Sequence, residues 1–282
     1  MGTDNYYSVK EDVQKYIDGC KTKMNVRTHK VFGRAVLAGM MIAFGASASN
    51  VAAHTVTNVG LSRLVAGCVF PVGLMMVVLL GAELFTGDCL MAMGNAEGAC
   101  TILDLIKFLF VVYVGNFVGS ILLAVVNVIS GQLNYSAGLL GAYTIKVAMG
   151  KVNMSFGQAL CSGILCNILV CAAVLMAMCA RDIVGKLFAC FFTIMLFVVA
   201  GYEHCIANMY YIPAGLIAAR NQNYVQVSMD TYGYTADQLA SLNLYGFFVK
   251  NLVPVTIGNI IGGAVLGLIL LYLHGYDKKK AA

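Results

Sequence analysis

Two glutamates stand inside otherwise uncharged apolar stretches, each two places after a glycine: Gly81-Ala82-Glu83 and Gly201-Tyr202-Glu203, the second followed at once by His204. An ionisable group at membrane depth costs about 3 kcal/mol or more, so it normally faces a polar cavity and takes a partner. Glu203 beside His204 favours a charged imidazole, whereas burial favours a neutral one. His204 therefore reads either as a proton donor to a passing solute or as a structural residue that pins the chain by hydrogen bonds. After Glu83, Thr86 can offer a hydroxyl to an anion and Leu84 can form an apolar gate. Lys151, placed at the outer end of a fourth apolar span, either concentrates anions at a pore mouth or snorkels to the interface.

The elements that would position these groups are membrane spans. The chain of 282 residues is 60% hydrophobic and 11% charged, with a mean hydropathy of +0.81, where a soluble domain carries about 25% charge. Uncharged windows run over 35–62, 64–82, 108–145, 152–180, 187–202 and 251–276. About 20 apolar residues cross the hydrocarbon layer, so six crossings are expected. The second and fifth windows are short and stop at Gly81 and Gly201, the pattern of broken helices around a permeation site. Landmarks recur in order: Phe32-Gly33-x-Ala35-x-x-x-Gly39 returns as Phe156-Gly157-x-Ala159-x-x-x-Gly163, and Gly115-Asn116-x-x-Gly119 returns as Gly258-Asn259-x-x-Gly262. Small residues at that spacing permit close helix contact, and the asparagines are placed to satisfy backbone freed at the breaks. Three spans per copy is an odd number, so the copies are inverted. The expected fold is an all-α membrane protein of two inverted three-helix repeats with broken second and fifth helices.

Charge orients it. Lys10, Lys15, Lys21, Lys23, Arg27, Lys30, Arg34, Lys107, Arg181, Lys186 and Lys278–Lys280 fall on the side of the termini, leaving Arg63, Lys146, Lys151, Arg220 and Lys250 for the other. The positive-inside rule makes both termini cytoplasmic and the protein a multi-pass protein of the inner (plasma) membrane. The net charge of +5 reflects that flank and gives no reason to invoke nucleic acid. Residues 1–30 form a cytoplasmic segment in which Val9, Val13, Tyr16, Ile17 and Cys20 repeat at helical spacing, a surface helix or a frayed tail; no cleavable signal is visible. The channel domain spans 31–273, with repeats at about 31–130 and 155–273, and 274–282 is a basic cytoplasmic tail. Between the last two spans, 219–246 is polar, a decoration of the pore mouth or a linker, and Thr235-Ala236-Asp237-Gln238 is a capping-box pattern. The ten cysteines lack metal-ligand spacing to His29, His54, His204 or His274, so no metal, cofactor or catalytic residue is expected and the chain is not read as an enzyme.

Gly81-Ala82-Glu83-Leu84-Phe85-Thr86-Gly87 and Glu203-His204-x-x-Ala207-Asn208-Met209 resemble the two signature segments of the formate/nitrite transporter family. Cys166-Asn167-x-Leu169-Val170-Cys171 and Asn251-Leu252-Val253-Pro254-Val255-Thr256-x-Gly258-Asn259 fit it too, over about 31–273. The resemblance implies an aquaporin-like arrangement, a homopentamer with one pore per subunit, and passage of small monovalent weak-acid anions, inorganic or organic: formate, nitrite or hydrosulfide. It implies that His204 lines the pore with Lys151, Asn167 and Glu203 as its hydrogen-bonded surroundings, and that Phe70, Leu74 and Phe197 join Leu84 in apolar constrictions. On this reading the anion is drawn in near Lys151 and takes a proton near His204. After Phe85 the chain departs from the common Thr-Ser or Thr-Gly-Asn form with Gly87-Asp88, an acidic group near the cytoplasmic exit. The alternative is an aquaporin-type neutral-solute pore, disfavoured because none of the three prolines forms an Asn-Pro-Ala.

Overall fold

The computed structural model describes residues 5–275. Its six membrane-length apolar helical stretches are Thr28–Ala53, Val59–Leu79, Ile102–Ile129, Phe156–Cys179, Ile183–Ala200 and Gly246–His274. In chain order, α1 (Val9–Met24) precedes the first span α2 (Thr28–Ala53). The second span is α3 (Val59–Val69) and α4 (Val72–Leu79), followed past a break by the short α5 (Phe85–Asp88) and α6 (Met91–Ala96). Then come α7 (Ile102–Ile129), α8 (Leu139–Val152), α9 (Phe156–Cys179), α10 (Ile183–Ala200) and, past the second break, α11 (Cys205–Ala218). The chain ends with α12 (Gln222–Tyr232), α13 (Ala236–Leu239), a π-helical turn Gly246–Leu252 and α14 (Val253–His274). The basic tail at Lys278–Lys280 lies outside the described residues.

The fold is the expected one of two three-span repeats with interrupted second and fifth helices, and the two breaks are built alike. Each upstream helix stops at a left-handed glycine, Gly81 at φ +65° and Gly201 at φ +76°, a conformation costly for other residues. The chain then runs extended, and one asparagine from the next span braces it. Asn116 on α7 accepts from the Phe85 amide through Oδ1 (2.9 Å) and donates through Nδ2 to the carbonyls of Ala35 (2.7 Å) and Glu83 (2.9 Å). Asn259 on α14 accepts from the Cys205 amide (2.9 Å) and donates to the carbonyls of Gly163 (2.8 Å) and Glu203 (3.0 Å). Such reach needs bare backbones in contact. A Cβ on Gly39 would strike the Asn116 main chain, and one on Gly163 would strike the Val255 carbonyl, so α2 lies along α7 as α9 lies along α14.

Elsewhere the structure refines the expectations. The window at 108–145 is not one span: α7 ends at Ile129, and Ser136, Ala137 and Gly138 turn the chain in left-handed conformations before α8. Lys151 therefore closes α8, a separate helix, rather than the end of the fourth span. Pro71 stands between α3 and α4, an interruption the apolar pattern does not mark. Residues 219–246 hold α12 and α13, the latter opened by the Thr235–Gln238 capping box, and α12 packs on α8. The amino-terminal helix begins with a capping box at Ser8 and Glu11 and buries Val13, Tyr16, Ile17 and Cys20. That face is covered by protein, because α1 packs against α6, α9 and α14.

Asn116→Ala and Asn259→Ala each strand two buried backbone groups, the amide that opens the next helix and the carbonyl of the break glutamate, since Ala35 and Gly163 lie inside α2 and α9 and keep their helical bonds. A stranded group costs about 1–3 kcal/mol. Each variant is expected to unfold in detergent at a markedly lower temperature than the parent. An unchanged thermal midpoint for both would show that the breaks do not depend on these braces.

Candidate functional site

Two cavities approach each other along the second span. The wider, of about 560 Å³, lies near the far end of α2 and is lined by Asn50, Arg63, Phe70, Lys151, Phe197 and His204, among others. The narrower, of about 200 Å³, lies beside α1 and is lined by Tyr16, Lys23, Leu74, Glu83, Leu84 and Asp88, among others. Phe70 and Leu74 are one helical turn apart, so the material between the cavities is about 6 Å thick along that helix. Apolar side chains fill much of it. Phe70 meets Phe197 edge-on with ring centroids 5.5 Å apart, and Phe197 stacks on His204 at 6.0 Å. All four apolar residues, Phe70, Leu74, Leu84 and Phe197, are at most 4% exposed.

Between the cavities the two breaks meet in one polar contact: Thr86 Oγ1 and His204 Nε2 are 2.9 Å apart. His204 is the N-cap of α11, and its Nδ1 accepts the Ala207 amide at 3.1 Å. A nitrogen that accepts carries no proton, so the ring's N–H is on Nε2 and donates to Thr86. Among the described residues the Thr86 hydroxyl has no second partner, which leaves its own proton free to donate. The Thr86 carbonyl is held from behind by Asn167 Nδ2 (3.0 Å) and by the Cys171 thiol (3.3 Å), and Asn167 also donates to the Asn259 carbonyl (2.6 Å). Asn167 thus positions Thr86 and reaches the histidine through it.

Neither break glutamate is bare. Glu203 turns away from the His204 ring: Oε1 pairs with Lys151 Nζ at 2.9 Å, and Oε2 accepts from Asn208 (2.7 Å) and Asn251 (3.3 Å). Asn251 in turn donates to the Lys151 carbonyl at 3.0 Å, tying the end of α8 to the break. On the other side Lys23 Nζ bridges Glu83 (2.6 Å) and Asp88, with Arg34 3.8 Å from the second oxygen of Glu83. The acidic group after Phe85 is thereby matched by a cation from α1. Lys23, Asn208 and Asn251 escaped assignment from sequence. The need of two buried carboxylates for partners was visible, but which distant side chains would supply them was not.

The Thr86–His204 contact, built where two broken helices meet, invites comparison with known channels. The profile of the formate/nitrite transporter family matches residues 10–273. The chain belongs to the formate/nitrite transporter family. It is 42% identical over 218 residues to the formate channel FocA of Haemophilus influenzae, covering 76% of this chain and 75% of that one. To a probable formate transporter of Methanothermobacter thermautotrophicus it is 37% identical over 268 residues, covering 89% and 90%. Among solved structures it resembles a pentameric formate channel with formate bound, at a TM-score of 0.81 and 34% identity, over 87% of this chain and 96% of that one. Membership makes this a multi-pass membrane transporter, in keeping with its six spans.

The Lys151–Glu203 pair is coupled through burial, since the carboxylate is only 5% exposed. Lys151→Met should cost about 3 kcal/mol or more by leaving a charge unpaired. Adding Glu203→Gln should recover most of that loss, measured as thermal midpoints of the four proteins of the cycle. Losses that simply add would refute the coupling.

Proposed function

We propose that the chain is a channel of the plasma membrane for small monovalent weak-acid anions, formate first among them, with nitrite and hydrosulfide as the other members of the class. The observation that carries this reading is the pair of cavities that end on either side of Thr86–His204, with apolar residues around that contact and every nearby carboxylate matched by a lysine. A bare carboxylate at the contact would repel an anion; a cation left alone would trap one. The formate channels among the relatives and the formate-bound structural neighbour support formate over the others. The same neighbour supports a homopentamer in which each subunit carries its own pore. The cluster of Lys and Arg around α1, with Arg34, Lys107, Arg181 and Lys186, supports cytoplasmic termini and an outward-facing Lys151 cavity.

The anion gathers in the outer cavity near Lys151, sheds water between Phe70 and Phe197, and is met by donors of Thr86 and His204. Leu74 and Leu84 close the path below. At that contact a proton from the water of the wide cavity joins the anion, and the solute passes Leu74 and Leu84 as the weak acid. A neutral imidazole cannot supply it, because loss of its single N–H leaves an imidazolate. A second proton on Nδ1 would displace the Ala207 amide and face the positive end of α11. His204 serves as a neutral donor.

Proteoliposomes loaded with a pH-sensitive dye test both parts. Formate, nitrite and hydrosulfide gradients should each dissipate far faster than in empty vesicles, while glycerol should not. Water and glycerol passage without anion flux would establish a neutral-solute pore instead. His204→Asn keeps a side chain that can both donate and cap a helix, so formate flux should stay within about tenfold of the parent and keep its rise towards acid pH. A flattened pH profile in that variant would make the ring the proton donor and sink the neutral-donor mechanism.

A further inference from the structure

Charge in the wide cavity exceeds what the Lys151–Glu203 pair uses. Arg63, Lys146 and Lys151 line it together with a single carboxylate, Glu203, whose oxygens are occupied by Lys151, Asn208 and Asn251. Lys146 lies over the ring of Tyr232 at 4.5 Å and of Tyr143 at 5.7 Å, which orients it without cancelling its charge. Arg63 has no acidic partner among the described residues. Its guanidinium lies against the bare Cα of Gly201, in the space a side chain there would take. Arg63, from α3, therefore rests on the end of α10, beside the break that leads to Glu203 and His204. The negative end of that helix helps hold the cation there, and Arg63 is exposed and lines the cavity.

A second group points to a ligand. Asn50, one turn from the end of α2, lines the same cavity and is 4% exposed, yet among the described residues its Nδ2 has no hydrogen-bond partner. Its neighbour Ser49 is fully engaged, bonded to the Ala46 carbonyl and the Tyr211 hydroxyl at 2.7 Å each. A buried amide donor left unmade is costly, so such groups are normally met by water or solute.

We propose that Arg63 and Asn50 form an anion-binding station at the outer cavity, ahead of Thr86–His204, that favours planar anions carrying two oxygens. The guanidinium fork matches two coplanar oxygens through parallel N–H···O bonds, a geometry an ammonium cannot offer. Formate and nitrite present that pair; hydrosulfide and chloride do not. The station thus discriminates within the class of small monovalent anions, and it rests on the reading of the chain as a channel for that class.

Binding and flux are measured separately, so that the two readings fail in distinguishable ways. Purified protein in detergent is titrated with sodium formate, sodium nitrite and sodium chloride at constant ionic strength, following the thermal midpoint and the line width of ¹³C-formate. The parent should bind formate and nitrite more tightly than chloride. Arg63→Gln and Asn50→Leu should each weaken formate by about tenfold, the weight of one charge-assisted hydrogen bond. Arg63→Lys, which keeps the charge and loses the fork, should weaken formate and nitrite several-fold and leave chloride unchanged. In proteoliposomes Arg63→Lys, which keeps the charge, should raise the formate concentration for half-maximal flux several-fold more than it does for hydrosulfide. Arg63 is exposed, so its variants should keep the parent's thermal midpoint without anion. Equal weakening of every anion by Arg63→Gln with full rescue by Arg63→Lys would reduce Arg63 to plain charge steering and overturn the station. Unchanged formate binding in Arg63→Gln and Asn50→Leu would overturn it as well. Intact formate binding in a parent that carries no anion flux would instead remove the channel reading and leave the station standing.

Discussion

Interrupting a helix inside hydrocarbon frees amides and carbonyls that water cannot reach, and each must find a partner in the protein. Here one asparagine per repeat meets that demand. Asn116 and Asn259 are both fully buried, and each binds the residue that opens the next helix together with the carbonyl of the break glutamate. Their reach fixes the rest. The facing helices must touch at glycine, and Phe85 and Cys205 are each held at one point. The residues beside these anchors are Thr86 and His204. The register of the polar contact between the repeats follows from the bracing of the backbone.

The repeats share a frame but not their side chains. With Glu83 aligned on Glu203, Leu84 stands where the other copy has His204, and Ile206 stands where the first has Thr86. Each copy contributes one polar and one apolar residue, and only the polar ones form the hydrogen bond between the breaks. The cations that meet the two glutamates come from the least repeated parts of the chain. Lys151 closes α8, which follows the linker after α7, and Lys23 lies near the end of α1. The repeated parts therefore supply the backbone geometry, while segments outside the repeats supply its charge balance. Asp88 shows the coupling: an extra carboxylate on the first break is tolerated because Lys23 bridges it to Glu83.

Much of this was legible in the sequence because a membrane imposes few solutions. Uncharged runs that stop at glycine before a glutamate, twice, mark the breaks, and the recurring Gly-Asn-x-x-Gly marks the braces. The boundary of α8 was not legible. Residues 130–145 carry no charge, so hydropathy runs on through a turn made by Ser136, Ala137 and Gly138 and does not mark α8, the helix that Lys151 closes. Nor could the pattern give the state of His204. Adjacency to Glu203 along the chain suggests an ion pair, but consecutive residues of an extended segment point opposite ways, and the carboxylate turns to Lys151. The seat of Arg63 against Gly201 was not legible either, since the two are far apart in the chain and the sequence shows only that Arg63 falls on the side opposite the termini.

If the chain conducts as proposed, the Thr86–His204 bond has a further consequence for passage. The ring owns one N–H, which serves either Thr86 or a solute. An anion arriving between them replaces one hydrogen bond by another of greater strength, since a charged acceptor binds about twice as well as a neutral hydroxyl. The exchange adds little barrier, and Thr86 can turn its free proton to the same solute. A neutral polar solute gains no such excess, and it must still displace the bond and cross the layer of Phe70 and Phe197. On the proposed reading, entry into the contact thus favours the anion over neutral solutes through a donor pair already satisfied at rest, without a fixed positive charge in the constriction that would hold the anion too tightly to release it.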